Sequence, residues 1–131
     1  METESSKKWK LLDIFENERF KNKAIEYLYD FGDHWMHSVT LVGHALGSTK
    51  YIVCLSGEGS PAAEDAGGSY GFEELKAIYD RLRGGSNEFD DEEQQKMEWY
   101  EDSCPNGNRS GLQPWLWDRE AVNKNLQRVK V

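Results

Sequence analysis

The chain has 131 residues, which suits one domain with a single core. Its 24 acidic and 16 basic residues give a formal net charge of −8, which disfavours nucleic acid and acidic membrane surfaces as partners. It contains no apolar run of the about 18 residues that a membrane span needs and no signal-peptide pattern at its N-terminus, so we expect a cytoplasmic protein that binds neither membranes nor nucleic acid. The only cysteines, Cys54 and Cys104, are too few for a disulfide framework or a thiolate zinc site.

Strand-like patterns follow a polar start. Residues 1–23 are mostly polar and charged, and we expect an N-terminal arm, either a short helix or an irregular segment. Residues 24–30 alternate with the two-residue period and aromatic content of a β-strand. After a turn at Gly32, residues 35–42 alternate in the same way, and residues 50–55 form a third β-rich run. The pattern predicts an antiparallel meander.

Helical patterns follow a long loop over residues 56–70. Apolar residues at three-to-four spacing predict a helix over 71–83, and an acidic run predicts a second helix from about Asp90 to Asp102. Asp118 is a good N-cap for a last helix. The predicted fold class is α+β, an antiparallel sheet of about three or more strands followed by two to three helices, with residues 24–131 forming a single domain.

The densest polar constellation surrounds the Gly32 turn and contains Asp30, Asp33, His34 and His37. If a strand begins at Trp35, His37 shares a face with Trp35, and Asp33 precedes the strand on the same side. A carboxylate beside an imidazole suits acid–base catalysis, and it also suits a divalent metal. The alternative is that the histidine is an ordinary polar strand residue and that the Asp-Phe-Gly-Asp sequence only makes a turn.

A second constellation lies in the glycine-rich loop and contains Glu58, Glu64 and Asp65. Gly67 and Gly68 allow the backbone to fold tightly, which leaves two carboxylates near the start of the predicted helix 71–83. The alternative is a solvated loop whose acidic side chains only favour the helix N-terminus.

Several motifs resemble the plasmid pRiA4b ORF-3-like family, which reads approximately Y-x-Y-D-F-G-D-x-W-x-H, C-x-x-G-E-x, P-P-E-D-x-G-G and G-Y-x-x-L. The matching stretches here are residues 27–37, 54–59, 61–68 and 70–75, and the family's closing helix resembles residues 117–126. The likeness covers about residues 24–128. The resemblance implies an α+β fold with an antiparallel sheet, and members are often labelled passenger proteins of insertion elements.

The resemblance also implies which side chains recur in the family. The family's acidic and histidine positions fall here on Asp30, Asp33, His37, Glu64 and Asp65, together with Trp35, Gly67 and Gly68. Members commonly carry a further N-terminal strand-and-helix region that residues 1–23 do not supply, so we expect a shortened member with an uncovered sheet edge that invites self-association or a partner strand. Ser60 and Ala66 replace cysteines that are common in the family, which leaves oxygen and imidazole ligands for any metal.

These observations support two hypotheses. The first is a small enzyme, working without a cofactor or with a divalent metal, that uses acid–base chemistry of the isomerase, cyclase, hydratase or hydrolase type on a small molecule. Its catalytic residues, which would also be the ligands of any metal, are Asp33, His37, Glu64 and Asp65. Its substrate-binding residues are Tyr27, Tyr29, Trp35, Glu58 and Trp115. The second hypothesis is a non-catalytic protein-interaction module that binds through its shortened sheet.

Overall fold

The computed structural model describes residues 5–111 and 116–129, and it has a mixed α+β architecture, as predicted. A short 3-10 helix, Ser6–Lys8, and helix α1, Leu11–Glu16, come first along the chain. The rings of Trp9 and Phe20 meet edge-on at 5.5 Å, which packs these first residues against one another. The division into an arm of residues 1–23 and a domain of residues 24–131 stays a prediction.

A two-stranded antiparallel hairpin follows, made of β1, Ile25–Tyr29, and β2, Trp35–Val39. Tyr27 lies opposite His37, and Tyr29 lies opposite Trp35. Since residues that lie directly opposite share a face, these four side chains project from one face of the hairpin. The two predicted strands are therefore confirmed, each slightly shorter than the sequence pattern indicates.

The third strand predicted over residues 50–55 is not found in the described part of the chain, where the sheet has two strands. Residues 52–58 have no regular secondary structure, and among the described residues no backbone-to-backbone hydrogen bond involves residues 40–62. The physical reason is that β-propensity describes how well a side chain suits a pleated surface. A strand also needs a neighbouring strand to pair with, and the propensity of residues 50–55 does not provide one.

Three helices follow the loop and confirm the helical predictions. They are α2, Gly68–Arg83, α3, Asp91–Asp102, and α4, Arg119–Leu126. Helix α3 begins with a capping box, in which Asp90 accepts a hydrogen bond from the Glu93 amide and Glu93 accepts one from the Asp90 amide. In the described ranges no helix combines the length and the apolar character needed to cross a membrane.

The core lies between α2, α3 and the loop that precedes α2. Its buried members are Ala63, Phe72, Leu75, Tyr79 and Tyr100. The Tyr79 hydroxyl donates to Glu101 at 2.9 Å, and burial raises the pKa of Tyr79 above its ordinary value. The half-buried Trp35 packs its ring against Phe72 at 6.2 Å, which joins the hairpin to this core.

Candidate functional site

Three carboxylates converge where the hairpin turn meets the glycine-rich loop. Oxygen atoms of Asp30, Asp33 and Asp65 all lie within 4.8 Å of one another. Asp30 follows β1, Asp33 lies in the turn, and Asp65 comes from the loop 35 residues after Asp30. Such a group can bind one divalent cation, because carboxylate oxygens are ligands that calcium and magnesium prefer.

Backbone amides supply hydrogen bonds to two of these carboxylates. Asp30 Oδ1 accepts from the amide of Gly32 at 2.9 Å and from that of Asp33 at 3.3 Å, and this bonding closes the turn. Asp33 Oδ2 accepts from the amide of Gly67 at 3.2 Å, which ties the turn to the loop. These bonds stabilise negative charge and fix the positions of both side chains.

Gly68 allows the hairpin turn to touch the start of α2. Its φ is +72°, and a β-carbon at this position would collide with the carbonyl oxygen of Asp33. Any other residue would therefore combine a left-handed backbone with a clash against main chain. The Gly67-Gly68 pair of the family motif is explained by this contact, because it brings Asp33 and the loop together.

Glu64 is held in place by partners from two parts of the chain, β1 and the stretch that follows α3. The Tyr29 hydroxyl donates to Glu64 Oε1 at 3.4 Å, and the negative charge of Glu64 raises the pKa of Tyr29. The side chain of Asn106 accepts from the Glu64 amide at 2.9 Å and donates to the Ala62 carbonyl at 2.8 Å. The Cys104 thiol donates to the Glu64 carbonyl at 3.4 Å, and burial raises the pKa of this thiol.

Sequence reasoning missed Asn106 and Cys104 as residues that hold the loop. The only signal was the Pro-Asn-Gly-Asn stretch after α3, which predicts a helix end but not a contact with a loop 42 residues away.

His37 lies apart from the acidic group. Its Nδ1 is 3.3 Å from the carbonyl oxygen of Tyr27, and its ring packs at 5.7 Å against the Tyr27 ring. Among the described residues no hydrogen bond or ion pair joins His37 to Asp33, Glu64 or Asp65. The structure therefore brings together Asp33 and Asp65 of the four proposed catalytic residues, adds Asp30, and places Glu64 beside Tyr29.

The structure gives the proposed substrate-binding residues different surroundings in the described part of the chain. Tyr27 and Tyr29 are exposed on the hairpin face, Glu58 is exposed, and Trp115 lies outside the described residues. Two recesses lie beside α2 and α3. The smaller, of about 90 Å³, borders the acidic group at Asp65 and is lined by Ala66, Gly71, Glu74, Leu75, Lys96 and Trp99.

The fold and the site define a small mixed α+β protein whose hairpin turn and glycine-rich loop are joined through acidic side chains. The family described as plasmid pRiA4b ORF-3-like protein matches residues 1–125, so the chain belongs to this family. The match confirms the resemblance carried by the motifs and also includes residues 1–23. No curated protein and no solved structure gives a significant match.

Asp33 can be tested as the residue that joins the turn to the loop. Asp33→Ala removes the acceptor for the Gly67 amide, and we expect a loss of about 1–3 kcal/mol in the free energy of unfolding. Asp33→Asn keeps an oxygen acceptor and should lose less than half as much. Urea unfolding followed by tryptophan fluorescence measures both. If both variants are more stable than the wild type, charge repulsion outweighs the hydrogen bond and the joining role is wrong.

Proposed function

We propose that the protein is a non-catalytic protein-interaction module, in which residues 40–58 pair with a strand from a partner. The single observation that carries the proposal is that, among the described residues, this segment makes no backbone-to-backbone hydrogen bond. Backbone amides and carbonyls are strong hydrogen-bonding groups, and an unpaired row of them is a template for another chain. The third strand that the sequence predicts at residues 50–55 would then form in the complex.

Side chains of α4 provide backbone partners at one point of this segment. Asn123 accepts from the amide of Cys54 at 2.7 Å and donates to its carbonyl at 3.1 Å, as a neighbouring strand would do. Arg119 donates to the Leu55 carbonyl at 3.4 Å. The segment is thus held against a helix at Cys54 and Leu55. The Tyr51 and Ser56 carbonyls accept from side chains of the segment itself, from Thr49 at 2.7 Å and from Cys54 at 3.4 Å. This arrangement suits the addition of a strand.

Composition supports the same proposal. The segment exposes many large apolar side chains, with Val42 97% and Leu55 82% exposed. Its further exposed apolar residues are Leu41, Leu46, Tyr51, Ile52 and Val53. No acidic residue occurs from His34 to Gly57, although the whole chain has a net charge of −8. Exposed apolar side chains that form a patch mark interaction surfaces in soluble proteins, and this segment concentrates such side chains in one part of the chain.

The acidic and glycine residues of the family have a structural role under this proposal. Asp33 and Gly68 join the hairpin to α2, and Glu64 holds the loop through Tyr29 and Asn106. Their hydrogen bonds stabilise the scaffold that presents the interaction segment.

Site-specific photocrosslinking in the cells that make the protein tests the proposal. A photoreactive phenylalanine analogue at Leu55 should give one discrete covalent adduct, because this side chain would lie in the interface. The matched control is the same analogue at Tyr70 in α2, which is similarly exposed at 77% and lies outside the segment. The proposal would be contradicted if the analogue gave the same adducts at Leu55 and at Tyr70, or if it gave no adduct at either residue.

A second candidate function is the acid–base enzyme, assisted by a divalent metal. It is favoured by the convergence of Asp30, Asp33 and Asp65 within 4.8 Å, with a small recess beside Asp65. In this case the carboxylates would hold the cation or the substrate, and the ring of His37 would act from the neighbouring hairpin face.

A cation titration tests this second candidate. Magnesium, manganese or calcium that binds only the folded protein should raise the unfolding free energy, by about 2.7 kcal/mol at 100 times the dissociation constant. Asp65→Asn should abolish the increase, and Glu88→Gln, at an exposed site outside the group, should leave it unchanged. If none of the three cations raises the melting temperature, the metal-assisted enzyme is wrong.

A further inference from the structure

Within the proposed interaction module, we infer that the partner strand is the same segment of a second copy of this chain. Residues 50–58 of the two copies would pair antiparallel about a two-fold axis that passes through Cys54. Such a contact is self-complementary, as a closed dimer requires. Three features of the described residues lead to this partner and to this register.

The hydrogen bonds of Cys54 decide which edge of the segment is open. In an antiparallel pair, a residue either exchanges both backbone bonds with the residue opposite or directs both away from it. Asn123 binds both the amide and the carbonyl of Cys54. If a second strand pairs at the opposite edge, Cys54 makes no hydrogen bond to that strand and occupies a non-hydrogen-bonded position of the pair. Val53 and Leu55 then carry the bonds between the copies. The backbone groups of Val53 have no partner among the described residues, and the Leu55 carbonyl would accept the new bond beside the one that it accepts from Arg119 at 3.4 Å.

Charge selects the register. Lys50 and Glu58 each lie four residues from Cys54, on opposite sides, so an axis through Cys54 places Lys50 of one copy directly opposite Glu58 of the other. Symmetry makes this favourable pair occur twice. An axis through Val53 would use the same open edge but would place Lys50 opposite Ser56, and would lose both direct pairs.

Net charge limits the surface through which a second copy can bind. Two chains that each carry −8 repel one another over most of their surfaces, whereas no carboxylate lies between His34 and Gly57. This stretch is the longest part of the sequence that two copies can bring together without opposing acidic residues. The contact would also cover the exposed side chains of Ile52, Val53 and Leu55.

The side chains around the axis are compatible with close pairing. Val53 of one copy would lie opposite Leu55 of the other, and Ile52 opposite Ser56. Tyr51 would lie opposite Gly57 of the other copy. In that copy, the Trp117 ring occupies the space into which a β-carbon on Gly57 would project. The Tyr51 ring would therefore meet the Trp117 ring that already covers this glycine.

A charge-swap experiment tests the inference by sedimentation velocity on the full chain. Lys50→Glu or Glu58→Lys alone turns two attractive pairs into two repulsive pairs, and each should raise the dimer dissociation constant by at least about tenfold. The double variant restores the pairs in reverse and should return to within about threefold of the wild type. Lys23→Glu and Glu88→Lys make the same charge changes outside the segment and should leave the constant close to that of the wild type.

Oxidation with diamide gives an independent readout of the register. The two Cys54 residues would form a non-hydrogen-bonded pair, in which the Cα atoms lie about 4.5 Å apart and within reach of a disulfide. A Cys104→Ser chain should therefore form a covalent dimer through Cys54, with diamide taking up the two hydrogens of the thiols. A Cys54→Ser chain should remain uncrosslinked.

Two results would overturn the inference. One is a wild-type chain that stays monomeric up to about 1 mM, where even weak specific contacts form. The other is a dimer that the single charge changes do not weaken or that the double variant does not restore. A photocrosslink from Leu55 to a different protein would also overturn self-pairing, but it would support the interaction module. Failure of the inference is therefore distinguishable from failure of the proposed function.

Discussion

The contact between the hairpin turn and the start of α2 is the constraint on which the rest of the arrangement depends. A two-stranded hairpin is marginal by itself, so β1 and β2 need an attachment to the helical core. Asp33 provides it by accepting from the Gly67 amide, and Gly68 allows the main chains to touch. Trp35 adds a ring contact to Phe72 immediately after the turn.

This attachment explains why acidic residues cluster at the junction of the hairpin turn and the loop. Asp30 shapes the turn, Asp33 reaches the loop, and the left-handed backbone of Asp65 brings a third carboxylate into the same region. Hydrogen bonds from backbone amides offset part of their mutual repulsion. The approach of these three carboxylates to within 4.8 Å of one another is the observation that favours the metal-assisted candidate.

The sequence predicts the local elements well because their signals are local. Apolar spacing, the acidic run that starts at Asp90 and the Asp118 cap predict the helices, and side-chain alternation predicts both strands of the hairpin. The third strand could not be predicted reliably, because the β-propensity of residues 50–55 contains no information about a neighbouring strand.

Long-range contacts at the site were harder to predict. Asp33 was expected to meet His37 on a strand face, but Asp33 lies inside a turn closed by a bond from the His34 amide to the Asp30 carbonyl, so the strand geometry does not extend to it. The loop contacts of Asn106 and the backbone contacts of Asn123 cross 42 and 69 residues, and no local pattern indicates them.

Hydrogen exchange at individual amides tests the central claim most directly, since the claim is that residues 50–58 have an open edge that pairing closes. In dilute protein, the amides of Val53 and Leu55 should exchange rapidly, while that of Cys54 is slowed by its bond to Asn123. On concentration, Val53 and Leu55 should become protected and Cys54 should change little. Protection of Val53 and Leu55 that is already complete in dilute monomer, or that never develops, would contradict the account.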